Sequence, residues 1–296
     1  MNSATLERAA VEARPRLVAI AYRMLGSMSD AEDVVQDALV RAQRNAPADV
    51  DEPVAYLTTV TTRLAIDHLR SARVRRESYV GPWLPEPVLA DPLLDAATQV
   101  EMADSLSMAF LVVLEALSPE ERATLLLHDV FGHSHAEVGA MLGRSVEASR
   151  QMLRRARVAV EAERPRFAVD PARHEALVRR FLAACHGGDM AAFLALLTDD
   201  VTYVADGGGV VTAVPRPIRG AARVARLLGY FTRLERVTSQ FALVPINGQP
   251  AVAVREDGRL TGAVLVDPAP DGRIAAVRWV RNPTKLAPLA RALSRG

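Results

Sequence analysis

The chain has 296 residues, half of them hydrophobic and 24% charged, with a formal net charge of +1; that length suits two or three small soluble domains. A single cysteine, Cys185, excludes an internal disulfide and a thiolate metal site within one chain. No apolar run reaches the length of a membrane span and residues 1–13 lack an apolar signal core, so no membrane association and a cytoplasmic location are expected.

The first predicted helix covers Arg16 to Leu25 and stops at Gly26, a residue suited to a left-handed cap. Ser29-Asp-Ala-Glu32 matches a capping box and opens a second helix through Gln43. A third runs from Pro53 to Arg75, with Tyr56, Leu57, Val60, Leu64 and Leu69 on one stripe. Arg63, Arg70, Arg73, Arg75 and Arg76 lie on or just beyond it, a cluster able to neutralise phosphates. A solvated helix end favoured by the helix dipole is the plainer reading.

From Glu77 to Glu121 there is no Lys or Arg, against nine acids. Within that stretch residues 79–95 hold Gly81, Pro82, Pro85, Pro87 and Pro92 around Trp83, which predicts an extended, stiff linker. Helices resume from Glu101 to Leu117. Ser118-Pro-Glu-Glu121 starts another helix with an N-cap, Pro at N1 and Glu at N3. Ser134-His-Ala-Glu137 caps the next, which ends at Gly143, and a longer helix runs from Ser145 to Glu163.

This last pair reads as a helix-turn-helix. Val138, Met141 and Leu142 supply the inner face of the first helix, and Gly139 and Ala140 permit a close crossing. The second helix offers Ser149, Arg150, Gln151, Arg154, Arg155 and Arg157, donor-rich side chains of the kind a recognition helix carries into a major groove. The alternative is an ordinary helical hairpin with a solvated arginine face.

Beyond Pro171 the pattern changes. Helices are predicted over 172–186, 189–197 and 220–234. Strands follow at 201–205, 240–246, 251–256, 260–267 and 274–281, joined by the turn pairs Asn247-Gly248, Asp257-Gly258 and Asp271-Gly272. Helices followed by antiparallel strands make an α+β domain.

Taken together, Asp30-Ala-Glu-Asp-Val-Val-Gln-Asp37, Ala65-Ile-Asp-His-Leu-Arg-Ser71 and the Ser118–Arg157 segment resemble the core-binding helix, the −10 helix and region four of extracytoplasmic-function sigma factors. The segment Tyr79–Pro87, with its Trp-Leu-Pro-Glu-Pro core, resembles the linker of the subgroup that carries a SnoaL-like C-terminal extension. Asp206-Gly-Gly-Gly209 and Asn282-Pro-Thr-Lys-Leu286 resemble two further motifs of that subgroup. Val210 stands where the subgroup has lysine, and Thr284 where it has aspartate.

The resemblance implies a multidomain chain: two all-α sigma domains, 1–76 (region two) and 109–166 (region four), an acidic linker 77–108, and an α+β cone over 170–296. It implies RNA polymerase core, through its β and β′ subunits, and promoter DNA as partners. Asp30, Glu32, Asp33, Gln36, Asp37 and Arg41 would face polymerase. The region-two arginines would track the −10 strand and Ser149–Arg157 the −35 element, while the linker would thread the polymerase cleft. Trp83, Leu84, Pro85, Asp206, Gly207, Gly208, Gly209, Asn282, Pro283 and Lys285 would form a regulatory contact. No anti-sigma factor is expected to be required.

The cone is a common place for a small-molecule ligand, and some relatives of the fold are enzymes. Tyr203, Asp206, Trp279 and Arg281 are the candidates here, with His174 and His186 expected at solvent or a helix end. They assemble no acid–base pair, so no catalytic activity, cofactor or metal is expected. A helix-turn-helix regulator acting without polymerase is the rival reading, and it leaves Asp30–Arg41 and the Trp83 linker without a role.

Overall fold

The computed structural model describes residues 3–45, 47, 50–89, 105–161, 170–187, 190–234 and 239–294, with backbone alone at 3–4, 73–77 and 232–234. Two compact units emerge: Met1–Glu77 with Asp91–Ser105 and Leu111–Ala162, and Ser78–Ala90 with Leu106–Phe110 and Glu163–Gly296. Residues 1–77 and 111–162 therefore share one unit, and the two ends of the expected linker belong with the C-terminal part.

In the first unit α1 (Ser3–Leu25), α2 (Met28–Asn45) and α3 (Pro53–Glu77) pack mutually. Leu17, Ile20 and Met24 of α1, Val35 and Ala38 of α2, and Leu57 and Leu69 of α3 are nearly or fully buried. On α1 and α2 these recur at three- and four-residue spacing, the condition for one apolar face per helix. α1 begins well before the expected Arg16 and passes through Pro15. On α3 the buried set differs from the predicted stripe: Leu57 and Leu69 are buried, Tyr56, Val60 and Leu64 only half-buried, and Thr61, Thr62 and Ala65 are buried as well, because α3 also packs against α5 and α6.

α4 (Met108–Leu114) precedes α5 (Pro119–Leu125), a π-helical turn (Leu126–Val130), α6 (His135–Leu142) and α7 (Val146–Glu161). Two of the three predicted capping boxes are formed: Ser118 Oγ accepts from Glu121 N, and Ser134 Oγ from Glu137 N. The one expected at Ser29 is not, because α2 already begins at Met28 and Ser27 Oγ takes the bond from Asp30 N at 3.3 Å. Gly143 closes α6 at φ 64°. The hub of this unit is Arg122, 1% exposed, whose guanidinium donates to Met24 O (2.7 Å), Leu114 O and Glu115 Oε1 (2.9 Å). It joins the end of α1 to the region-four helices. Burying a guanidinium is tolerated when acceptors such as these meet its charge.

The second unit holds α8 (Pro171–Gly187), α9 (Met190–Leu196), β1 (Leu197–Asp206), β2 (Ile218–Arg219) and α10 (Ala221–Leu234). β3 (Ser239–Ile246), β4 (Gln249–Glu256), β5 (Arg259–Pro268), β6 (Ile274–Val280) and α11 (Pro283–Leu293) follow. The sheet order is β2-β1-β6-β5-β4-β3. The predicted turn pairs make the antiparallel run β3 to β6, but β1 pairs with β6 in parallel, which corrects the all-antiparallel expectation. Tight turns fix only neighbouring strands, and β1 reaches the sheet through α10, so no turn dictates its direction. α11 was not expected, although Asn282 as N-cap and Pro283 at N1 are its start signal.

Phe181, Phe193, Tyr203 and Trp279 fill the space between helices and sheet. His174 sits there as well, 4% exposed, with Nε2 donating to Val266 O at 2.9 Å. That corrects its assignment to solvent or a helix end: a neutral imidazole with a carbonyl acceptor is satisfied inside the core. His186 is exposed and hydrogen-bonded to Leu182 O near the end of α8, as expected.

Candidate functional site

On α2 the buried positions Ala31, Val34, Val35, Ala38 and Ala42 leave the opposite face to Glu32, Asp33, Gln36, Asp37 and Arg41, all exposed. Asp30 is half-buried, with Oδ2 3.4 Å from His68 Nε2. The acidic face is thus built by the apolar one: each core position fixes its outward neighbours.

The α3 arginines are less free. Arg63 donates from Nε to Met141 O at 2.7 Å and from Nη2 to Ala140 O at 3.4 Å, so it caps the C-terminal carbonyls of α6. Arg70 bonds to Asp67 (3.0 Å) and to Glu120 of α5. That partner holds the Glu120 carboxyl below its ordinary range against the opposing effect of burial. The side chains of Arg73, Arg75 and Arg76 lie outside the described residues.

On α7, Met152, Leu153, Ala156 and Val160 are buried, and Arg150, Gln151, Arg154, Arg155 and Arg157 are exposed. Ser149 belongs with the buried set, fully so, and its Oγ lies 3.2 Å from His135 Nδ1. It is therefore removed from the residues a duplex could touch: position 149 is on the same face as 152, 153 and 156. Arg155 pairs with Glu121 (2.7 Å) and Arg157 holds Asp129 through two bonds of 2.9 and 2.6 Å. Burial disfavours the Asp129 carboxylate, but the Arg157 bonds outweigh it and keep the carboxyl below its usual range. Arg150, Gln151 and Arg154 stand outward on the first three turns. His135, stacked on His128 at 4.3 Å, is pushed below the ordinary imidazole range by burial and by the nearby charges of His128, Arg150 and Arg157.

In the second unit the linker is not a free tether. Leu84 through Val88 are buried. Asp206, fully buried at the end of β1, collects the contacts that hold them. Its Oδ1 accepts from Tyr79 Oη (2.6 Å) and Gly208 N (3.0 Å); its Oδ2 accepts from Leu84 N (2.8 Å) and Lys285 Nζ (2.7 Å). Lys285 also donates to Leu84 O and lies 4.1 Å from the Trp83 ring centroid and 5.1 Å from that of Tyr79. The chain's only lysine is thus placed where a compact ammonium suits better than a planar guanidinium. Asn282 Nδ2 donates to Tyr79 Oη at 2.9 Å, and its Oδ1 caps α11 at Thr284 N. At the far end of the segment Asn247, with φ 54°, exchanges bonds with Val88: its N donates to Val88 O (2.7 Å), and Val88 N donates to its Oδ1 (3.2 Å). Asn247 Nδ2 reaches Leu106 O at 3.2 Å. Sequence reasoning read Asn247 only as a turn residue and missed this role.

The glycines allow the approach. A Cβ on Gly208, at φ 62°, would lie 2.2 Å from Asn282 Nδ2; on Gly209, 3.0 Å from Val80; on Gly207, 2.4 Å from Val211 O. Trp83 and Leu84 make the contacts already described, and Pro85 is buried between them and Val88. Pro283 and Thr284 are exposed, so the aspartate-to-threonine departure lies outside this contact. Val210 is 68% exposed; the cation at the linker comes from Lys285. Of the four candidates for chemistry, Tyr203 and Trp279 are core residues and Asp206 is occupied by the linker. Arg281 lies 4.9 Å from the Trp279 ring and donates to Thr212 O.

Comparison with known proteins matches residues 10–75 to Sigma-70 region 2, residues 107–160 to Sigma-70 region 4 and residues 178–284 to the SnoaL-like domain. The ECF RNA polymerase sigma factor SigJ of Mycobacterium tuberculosis is 37% identical over 282 residues, which cover 92% of this chain and 90% of that one. The chain belongs to the extracytoplasmic-function sigma factors. The probable ECF sigma factor SigI of the same species is 32% identical over 96% of this chain and 95% of its own length. The crystal structure of M. tuberculosis SigJ superposes with a TM-score of 0.71 at 32% identity, covering 93% of this sigma factor and 96% of SigJ. Sigma factors bind the RNA polymerase core and promoter DNA, and they are not enzymes. Among the described residues no helix of this one is long and apolar enough to cross a membrane.

Proposed function

We propose that this sigma factor initiates transcription through three surfaces and that its C-terminal unit governs when they are available. The exposed face of α2 (Glu32, Asp33, Gln36, Asp37, Arg41, with Asp30 at its edge) meets the polymerase β′ subunit. α3 follows the −10 strand with Arg63, Arg70, Arg73, Arg75 and Arg76. Arg150, Gln151 and Arg154 of α7, flanked by Arg155 and Arg157, read the −35 groove.

One observation carries the regulatory reading: Arg63 and Arg70, the α3 cations whose side chains are described, are bonded to α6 and to Glu120. A strand at the −10 element competes with those bonds. Region two must part from region four before Arg63 meets a phosphate. The second unit holds the connecting segment through Asp206 and Lys285, and so biases that opening. Moving such an equilibrium from 1:99 to 99:1 takes about 5.5 kcal/mol of preference for the open form. Polymerase docking on α2 supplies part of it, and a ligand in the cone is a further source. A dedicated anti-sigma factor is not needed for a chain that closes on itself, and the work is done where the polymerase is, in the cytoplasm.

The test is in vitro transcription with purified core enzyme, comparing the whole chain with one truncated after Arg166. Truncation changes both core affinity and transcript yield; unchanged values refute the regulatory role. Arg154→Ala loses −35-dependent transcript while keeping core binding, and equal loss of both removes α7 from promoter reading.

A further inference from the structure

The second unit carries a cationic surface that none of these roles uses. Residues 207–234 contain five arginines and no Asp or Glu. On α10 the positions Val224, Ala225 and Leu228 face the core, which leaves Arg223, Arg226, Leu227 and Tyr230 on one outward stripe at three- and four-residue spacing. Next to the stripe lie Pro217, Ile218 and Arg219. Together these seven residues line a groove of about 750 Å³. Arg219, Arg223 and Arg226 are exposed, and none has an ion-pair partner among the described residues. Tyr230 is 57% exposed, its ring set edge-on to Phe231 at 6.0 Å.

A solvated helix face mixes charge signs and has no need of an exposed tyrosine between its arginines; Leu227 and Ile218 are half-buried against the core and present their remaining surface to the groove. We propose that this groove binds single-stranded nucleic acid, with the arginines on successive phosphates and Tyr230 stacked on a base. The pairing of a cationic track with an aromatic platform and an apolar floor suits a strand whose bases are unpaired. A duplex is convex and buries its base faces, so the floor of Ile218 and Leu227 would meet nothing on it. A sigma factor acts where promoter strands separate, and such a strand is at hand there. The residues of this surface are not those of α3 or α7, which stay unchanged in every variant tested.

The experiment uses the full chain and a fluorescein-labelled oligothymidylate of about 20 nucleotides, with anisotropy followed across a salt series. Replacing Arg219, Arg223 and Arg226 together by alanine weakens binding at least about tenfold and lowers the slope of log K against log salt by about 2, the share of three single-strand phosphates. Tyr230→Ala weakens binding at least about fivefold at an unchanged slope, and Tyr230→Phe restores it. Tryptophan fluorescence during unfolding checks that each variant keeps the second unit intact. Unchanged affinity and slope in the triple variant overturn the proposal. Loss in the triple variant with no effect of Tyr230→Ala overturns the stacked single strand in favour of simple phosphate tracking. Arginine-dependent capture of an acidic peptide, with oligonucleotide binding unaffected, makes the groove a protein site instead.

Discussion

Replacing Lys285 by methionine removes the cation from a carboxylate that has no access to water. Breaking a buried pair from one side costs about 3–5 kcal/mol. Here Asp206 keeps Tyr79 Oη, Leu84 N and Gly208 N, so the lower end, about 3 kcal/mol, is expected. Asp206→Asn takes the counter-charge from the ammonium and also turns an amide donor towards Leu84 N or Tyr79, so its effect is at least as large. Combining Lys285→Met with Asp206→Asn removes both charges, and the pair then loses well under the sum of the singles. The readout is selective: the chain has two tryptophans, Trp83 and Trp279, and both lie in the second unit. Tryptophan fluorescence in urea therefore follows that unit alone. With a urea slope of about 1–3 kcal/mol/M, a loss of 3 kcal/mol lowers the midpoint by about 1–3 M. A loss below about 1 kcal/mol, or strict additivity in the double variant, refutes the view that this pair organises the linker contact.

Three further outcomes follow from the same geometry. Gly208→Ala forces a Cβ into Asn282 at a positive φ and breaks its bond to Tyr79, a loss of about 2–3 kcal/mol by urea titration; Gly143→Ala, also at positive φ but with nothing within 4 Å, loses only about 1 kcal/mol. Burial holds His174 below its ordinary value of 6.5, partly offset by the Val266 carbonyl and Asp267. The unfolded chain then binds the proton first, so this contribution to stability is complete above pH 6.5 and falls as acid is added. The tryptophan-monitored midpoint should drop between pH 7.5 and 5.5, and a His174→Gln variant should show a shallower drop. Arg63→Ala leaves the α6 carbonyls Met141 O and Ala140 O without their charged donor and destabilises the first unit by about 1.5–3 kcal/mol, read by circular dichroism at 222 nm.

What the sequence made legible was local. The capping boxes at Ser118 and Ser134, the left-handed stop at Gly143 and the Asn-Gly and Asp-Gly turns are specified by residues a few positions apart, and they formed where expected. The motifs at Asp206 and Asn282 marked which residues meet the linker. Lys285 was among them, but its motif did not show that its ammonium pairs with Asp206. Long-range choices were not legible. Nothing near Arg122 in sequence announces that it reaches Met24 O, and nothing near β1 says that it lies parallel to β6. Ser149 was misplaced because a polar residue beside arginines looks like part of their face; helical spacing with Met152 and Ala156 puts it inside. α11 escaped notice because Pro288 lies within it, although Asn282 and Pro283 announce its start.

The burial of Lys285 has one more consequence. Acylating reagents and lysine-modifying enzymes attack an unprotonated, accessible amine. This chain offers them a single side-chain target, 6% exposed and bonded to Asp206 and Leu84 O. While the linker is seated, amine chemistry on the folded protein is confined to the chain's N-terminus. Acylation at position 285 thus becomes a covalent clock for the release of the Trp83 segment, with no label or substitution added to the protein.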